Sequence, residues 1–408
     1  MSEWKNVKLG DYCLKIGSGS TPKGGSTVYV ESGTSFIRSQ NVYNLSFDYN
    51  GLTHITEEAA NKLKGVTIFN EDILLNITGD SVARTCIVPN DVLPARVNQH
   101  VAIVRVDRKK MNGRFLNYYL ASPRMQAHML SLAVGKGASR NAMTKQMIEN
   151  FKVPCPPLDT QHRIATILSR YDSLIENYQK QIKLLEESAQ RLYKEWFIDL
   201  RFPGHENTKI VDGVPEGWEK KKMKDLVDLK SGFAFKSTTF VEKGEYKIVT
   251  IKNVKDGFFD GENVSYLNLV PEKMPSHCFL HTGDILLSLT GNVGRVSMVV
   301  GDNYLLNQRV AKLESNFPAF TYCLFRYYDT FVAINNLANG AAQQNVSPIR
   351  IGDLNFIMAN DKILNHFENV VENIRTNILN LSLQIKHLTE ARDRLLPKLM
   401  SGEINVNR

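Results

Sequence analysis

Two stretches of the chain carry a seven-residue hydrophobic rhythm, and the remainder does not. Over 158–197 apolar side chains fall at Ile164, Leu168, Tyr171, Ile175, Tyr178, Ile182, Leu185, Ala189, Leu192 and Trp196. Their spacing alternates four and three without a slip, as at the a and d positions of a coiled coil. The places 203 residues further on hold Phe367, Val371, Ile374, Ile378, Leu381, Ile385, Leu388, Arg392, Leu395 and Leu399. Only Arg392 interrupts this second seam, and Pro397 predicts an end or a kink in the last turn. A 40-residue helix is ~60 Å long, too long for one small domain to bury its stripe. The pattern therefore predicts two long helices whose seams cover each other. The domain between them, 201–360, lets the second helix return antiparallel to the first.

Segments 1–157 and 201–360 have a different texture, with short apolar runs punctuated by glycine, asparagine and proline. Gly65-Val-Thr-Ile-Phe69, Asp72-Ile-Leu-Leu-Asn-Ile77, His100-Val-Ala-Ile-Val-Arg-Val106 and Asp284-Ile-Leu-Leu-Ser-Leu289 predict strands of a mixed sheet. Helical stretches are expected over 114–132 and 319–336. The segment 199–215, with Pro203-Gly204 and Asp212-Gly213, predicts a connecting loop.

The globular segments are copies of one another. Glu71-Asp-Ile-Leu-Leu-Asn-Ile-Thr-Gly-Asp80 returns as Gly283-Asp-Ile-Leu-Leu-Ser-Leu-Thr-Gly-Asn292, an offset of 212. Trp4 is echoed by Trp218, Asn98-Gln99 by Asn307-Gln308, and Gly137-Ala-Ser-Arg-Asn-Ala-Met-Thr144 by Gly340-Ala-Ala-Gln-Gln-Asn-Val-Ser347. The offset drifts in the globular part and stays at 203 through the helix. Such a period is too long for a solenoid and describes a duplicated pair of modules. The expected fold is α/β (α+β): two similar mixed-sheet domains separated by two long antiparallel helices, with a pseudo-two-fold repeat. Its boundaries are 1–157, 158–200, 201–360 and 361–408.

Composition narrows the function classes. Of 408 residues 43% are apolar and 23% charged, ordinary for a globular protein. No apolar run reaches the roughly 18 residues of a membrane span, and Met1-Ser-Glu-Trp-Lys-Asn-Val-Lys8 lacks the apolar core of a signal peptide. Five scattered cysteines without a C-x-x-C predict reduced thiols and a cytoplasmic protein. The net charge of +8 is uneven: segment 1–157 holds 19 Lys/Arg against 12 Asp/Glu, whereas the long helices are close to neutral. A polyanionic partner is thus expected on the globular parts.

Catalytic motifs are missing. Gly17-Ser-Gly-Ser-Thr-Pro-Lys-Gly-Gly-Ser26 lacks the lysine that a phosphate loop places after its last glycine. Cys155-Pro156-Pro157-Leu158 lacks the polar and aromatic ends of an amino-methyltransferase tetrad, and its prolines suit a helix start. His277 and His281 have no counterpart in the first copy and are expected at a core or strand edge rather than on a metal. No catalytic residue and no metal site is assigned.

Three loop pairs combine amides with cations. They hold Arg38, Gln40 and Asn41, with Lys252 and Asn253 in copy two; Ser81 and Arg84, with Asn292 and Arg295; and Arg96, Asn98, Gln99 and His100, with Asn307, Gln308 and Arg309. Arg can pair with guanine O6/N7 and Asn or Gln with adenine N6/N7, each through two hydrogen bonds. Lys136, Arg140, Lys230 and Lys236 are candidates for phosphates, which position without specifying. A protein-binding coiled-coil scaffold without DNA specificity has the same helices and stays open at this point.

The duplicated Gly-Asp-Ile-Leu-Leu-x-x-Thr-Gly strand and turn, the Gly-Ala-Ser-Arg-Asn-Ala-Met-Thr segment and Val153-Pro-Cys-Pro-Pro-Leu-Asp-Thr-Gln161 leading into the heptads carry a resemblance. The chain resembles the specificity subunits of type I restriction-modification systems. The family usually has Pro-Pro-Leu, an acidic residue and Gln here. This chain sets Thr160 between Asp159 and Gln161, and Ala359-Asn-Asp-Lys-Ile in copy two has lost the motif. The resemblance implies two target-recognition domains, each reading half of a bipartite double-stranded site, with the helices as spacer. It also implies two methyltransferase (modification) subunits and restriction subunits as partners, carrying S-adenosylmethionine, ATP and Mg, with no cofactor on this chain.

Overall fold

The computed structural model describes residues 4–134, 141–338 and 344–406. Contacts divide the chain into two compact units, Met1–Ile175 with Leu388–Arg408, and Glu176–His387. The dividing points fall inside the long helices, Leu158–Tyr193 and Asp361–Met400, so each unit owns part of both.

In the first unit a four-stranded antiparallel sheet runs Thr85–Ile87, Ile73–Asn76, Val101–Val106, Cys13–Ser18. A second sheet runs Tyr29–Val30, Thr53–Ile55, Thr34–Ile37, Ala95–Val97, Thr67–Ile68, and its pair Thr34–Ile37 with Ala95–Val97 is parallel. The continuous apolar run of Ile73–Asn76 follows from two cores. Ile73 and Leu75 enter the core that contains the helices, while Leu74 on the opposite face enters the core beneath the second sheet. Side chains alternate across a strand, so a strand between two cores shows no polar alternation.

The second unit repeats this arrangement with one strand fewer, the edge strand Tyr29–Val30 being reduced to a single bridge between Val241 and Tyr266. Val296–Met298, Ile285–Ser288, Val310–Glu314 and Asp228–Ser231 form one sheet. Ser265–Leu267, Tyr246–Val249, Tyr304–Leu306 and Phe279–Leu280 form the other, again with one parallel pair, Tyr246–Val249 with Tyr304–Leu306. Ile285 and Leu287 face one core and Leu286 the other. A two-stranded ladder closes each globular region just before its long helix, Lys5–Lys8 with Lys152–Cys155 and Glu219–Lys222 with Asn355–Met358.

Within each unit the helix pieces pair antiparallel. In the first, Ile164, Ala165 and Leu168 share a core with Leu396, Leu399 and Met400. In the second, Ala189, Tyr193, Trp196 and Phe197 meet Ile363, Leu364, Phe367 and Val371, with Phe197 and Phe367 ring centroids 4.9 Å apart. Every a and d position of both seams is buried or half-buried. The helix ends are covered by globular residues as well as by each other, since Phe115 and Phe320 belong to these same cores.

Several local expectations need correction. The stretch 114–132 is two helices, Gly113–Ala121 and Pro123–Ala133, because Ser122 before Pro123 adopts an extended conformation. The stretch 319–336 likewise breaks at the extended Tyr327 into Pro318–Arg326 and Tyr328–Ala338. Pro397, by contrast, lies as expected in the last turn of the second long helix, which ends at Met400, and the Ser401 amide closes on the Pro397 carbonyl at 3.0 Å. The 199–215 segment contains a hairpin, Ile210–Val211 with Val214–Pro215, turned by Asp212 and Gly213 at positive φ. Among the described residues no helix is long and apolar enough to cross a membrane, and all five cysteines are free.

Candidate nucleic-acid interface

Loops from distant parts of the chain are tied together at one end of the sheets in each unit. In the first, the Gly19 amide bonds the Val101 carbonyl and the Ser20 amide the Val97 carbonyl, both at 2.9 Å. A Cβ on Gly19 would stand 2.1 Å from the Val97 oxygen, so only glycine permits this approach. Thr21 bonds Gln99 through its hydroxyl. The Asn98 side chain accepts from the His100 amide, and His100 Nδ1 lies 2.6 Å from the Thr78 hydroxyl. Gly79 donates to Asn141, and Asn98 to the carbonyl of Ile37, just before Arg38.

The second unit reproduces these ties except that of Thr21, whose place is taken by Ala234. Gly232 and Phe233 donate to Val310 and Leu306, and a Cβ on Gly232 would stand 2.4 Å from the Asn307 carbonyl oxygen. Asn307 accepts from the Arg309 amide, and Arg309 Nη1 reaches the Thr290 hydroxyl at 3.4 Å. Gly291 donates to Gln344, and Asn307 to Val249. His100 and Arg309 thus play one role with different chemistry: a shared frame presents an imidazole in one copy and a guanidinium in the other.

Asn41 and Asn253, expected as base readers, are loop builders. Both are fully enclosed. Asn41 accepts from the Arg38 amide at 3.0 Å and donates to the carbonyls of Asp48 and Asn50. Asn253 accepts from the Thr250 amide at 2.8 Å and donates to Asp260 and Asn263. Their amides are spent on backbone, which explains why this asparagine recurs at the same offset as the Asp72/Asp284 pair. Arg96 is also corrected. It is 9% exposed and donates to the carbonyls of Ala60 and Ala95, holding the helix Glu57–Lys62 on the sheet. Lys230 is engaged by Glu314 and Asp228 rather than standing ready for a phosphate.

Other candidates remain at the surface of these loops. Gln40, Gln99, Lys236, Lys252, Asn292, Gln308 and Arg309 are exposed, and Ser81, Arg84, His100 and Arg295 half-buried. Asn98 and Asn307 shape the turns that present Gln99 and Gln308. Arg38 and Gln40 both donate to Gly51 and close the base of their loop. Lys136 and Arg140 lie outside the described residues. The Arg84 guanidinium sits 4.5 Å over the ring of Tyr43, whose hairpin is docked by the Leu45 amide on Thr85. Sequence reasoning missed Tyr43, Gly19 and Gly232. The recurring glycine ahead of two unlike loops was the available signal for the last two. No cluster of three or more potential metal ligands occurs among the described residues.

Comparison with known proteins gives this frame its family. The description "Type I restriction modification DNA specificity domain" matches residues 1–187 and again 215–379. The chain belongs to this family. Each matched segment of the specificity protein contains one complete set of tied loops. The MjaIX specificity subunit of Methanocaldococcus jannaschii is 25% identical over 427 aligned positions, covering 99% of this chain and 94% of the relative. The HindI specificity subunit of Haemophilus influenzae is 22% identical, covering 99% of this chain and all of the relative. The crystal structure of a type I restriction-modification S subunit from M. genitalium shares the fold, with a TM-score of 0.59, 15% identity and coverage of 97% and 96%.

Proposed function

We propose that this chain is the sequence-specific DNA-recognition subunit of a type I restriction-modification complex. Each loop cluster reads one half of a bipartite duplex site, and the long helices set the spacer between them. The observation that carries this is the duplication of the backbone ties of the loop frame while several of the side chains it presents differ, Gln40 against Lys252 and His100 against Arg309. One scaffold used twice with different surface chemistry is what reading two unlike half-sites requires. Methylation and cleavage belong to partners: two methyltransferase subunits with S-adenosylmethionine, and restriction subunits with ATP and Mg, acting together in the cytoplasm. The scaffold reading without DNA specificity is not favoured, because both copies match a DNA specificity domain.

The test is to reconstitute the chain with its methyltransferase subunit and sequence the methylated positions on random duplex DNA. A bipartite site with a fixed gap is expected, and binding should fall steeply with salt as phosphate contacts release counterions. Equal methylation of all duplexes overturns the reading. Inserting one heptad into each long helix, after Ile175 and before Leu388, adds about 10 Å of helix. The tolerated gap should lengthen by about three base pairs, at ~3.4 Å each, with both half-sites unchanged.

A further inference from the structure

A chain of three charges in the second unit, two of them buried, connects the first long helix to the tip of a loop. Glu186, on that helix, is 12% exposed at its side chain, and Arg326, at the end of Pro318–Arg326, 14%. The Tyr322 hydroxyl donates to Glu186 Oε1 at 2.6 Å, and Arg326 Nε lies 3.6 Å from Glu186 Oε2. On its other side Arg326 Nη1 lies 3.5 Å from Asp256 Oδ1. Asp256 belongs to the tip between the paired residues Val254 and Phe259, just after the Asn253 plug. The next residue, Gly257, has a φ of 72° and lies so close that a Cβ would stand 2.0 Å from Arg326 Nη1. Its amide also bonds Val296, beside Arg295.

The first copy builds the same tip without the charges. Leu45, at the place of Gly257, has a φ of 60° and donates to Thr85. Asn44, at the place of Asp256, donates to Gln126 at 3.3 Å. Gln126 spends its own amide on Ala83 and Leu120. The first tip is therefore held by a neutral amide pair on a short helix. The second is held by an arginine that leans on a carboxylate of the long helix. Arg326 Nε and Nη1 reach the two carboxylates without a hydrogen bond, so the second tip is held by charge, and burying that charge is costly unless its partners stay in place.

We propose that Glu186 and Arg326 are positioning residues that fix the Asp256–Phe258 tip and thereby set discrimination at the half-site read by the second copy. This rests on the reading of the two copies as separate DNA readers. The effect is selective, because the first tip is tied through Gln126 to a short helix and not, among the described residues, to a long one.

The test uses the full chain with its methyltransferase subunit on duplex libraries randomised in one half-site at a time. D256N and E186Q should each relax discrimination at the second half-site, by about threefold to thirtyfold. The first half-site and the salt slope of binding should not change. D256E should retain the wild-type preference. E186Q should add little in a D256N background, since both act through Arg326. Asp256 is 69% exposed at its side chain, so D256N reports even if E186Q fails to fold. Unchanged discrimination in D256N, or equal loss at both half-sites, overturns the proposal. Absence of any preference in the wild-type complex overturns the reading beneath it instead.

Discussion

Arg392 Nη1 lies 2.8 Å from Asp172 Oδ1, so the one charged position in the second heptad seam is paired across to the first long helix. The Tyr118 hydroxyl donates to the other oxygen of Asp172. Arg392 replaces an apolar knob by a charge that is only 14% exposed, with a partner 18% exposed. A pair this enclosed costs desolvation, and its removal from one side leaves an uncompensated charge.

Arg392→Leu alone should therefore destabilise by about 3 kcal/mol, although it restores the heptad. Leucine at both 172 and 392 should recover most of that, short of about 1 kcal/mol for the Tyr118 hydroxyl left without its acceptor. Urea unfolding midpoints of the single and double variants check this. A single Arg392→Leu variant more stable than the parent would mean that the pair holds nothing in place.

Asn41 and Asn253 predict a separation between loop order and base contact. Each buried amide makes three bonds to backbone, and truncation to alanine should cost about 2–3 kcal/mol, with unsatisfied amides and carbonyls left behind. Hydrogen exchange should quicken over 38–51 in Asn41→Ala and over 250–263 in Asn253→Ala, each without change in the other loop. Arg84→Ala, by contrast, should alter base preference at one half-site and leave exchange in both loops as it was.

The two seams were legible from a repeating pattern of apolar positions, the sheets from short apolar runs between turn residues, and the duplication from motifs that return at a near-constant offset. Which loop residues face outward was not. Asn41 and Gln40 are adjacent polar residues of one loop, yet one is fully enclosed and the other exposed. That difference depends on where the carbonyls of Asp48 and Asn50 arrive. Arg96 misled for a similar reason, since the helix Glu57–Lys62 that covers it is distant in sequence. Gly19 announced a close approach without saying to what.

Tyr43 predicts how the first reading loop orders its arginine. A cation held over an aromatic face gains about 0.5–1 kcal/mol at an exposed site, and Tyr43 is itself exposed. Tyr43→Ala should free Arg84 and relax the first half-site by about fivefold at most, whereas Tyr43→Phe keeps the face and the preference. Competition between duplexes altered in the first half-site measures it. An effect of Tyr43→Phe as large as that of Tyr43→Ala would assign the role to the hydroxyl.

The cysteines predict a readout for opening of each unit. Burial pushes the Cys86 thiol up to about 12 from an ordinary 9.0, and burial also raises Cys323, with the Glu186 charge adding to it. Alkylation requires the thiolate. At pH 8 the thiolate fraction of Cys86 is about one in ten thousand, against about one in ten for a thiol at its ordinary value. Raising the pH to 9 increases the Cys86 thiolate about tenfold and still leaves it scarce, so native labelling should stay slow at both values. Urea should release labelling of Cys86 with the first unit and of Cys323 with the second, each rising with the unfolding of its own core. Peptide mass spectrometry after timed iodoacetamide pulses follows both sites at once. Rapid labelling of Cys86 in the native chain at pH 8 would contradict its enclosure between the sheets.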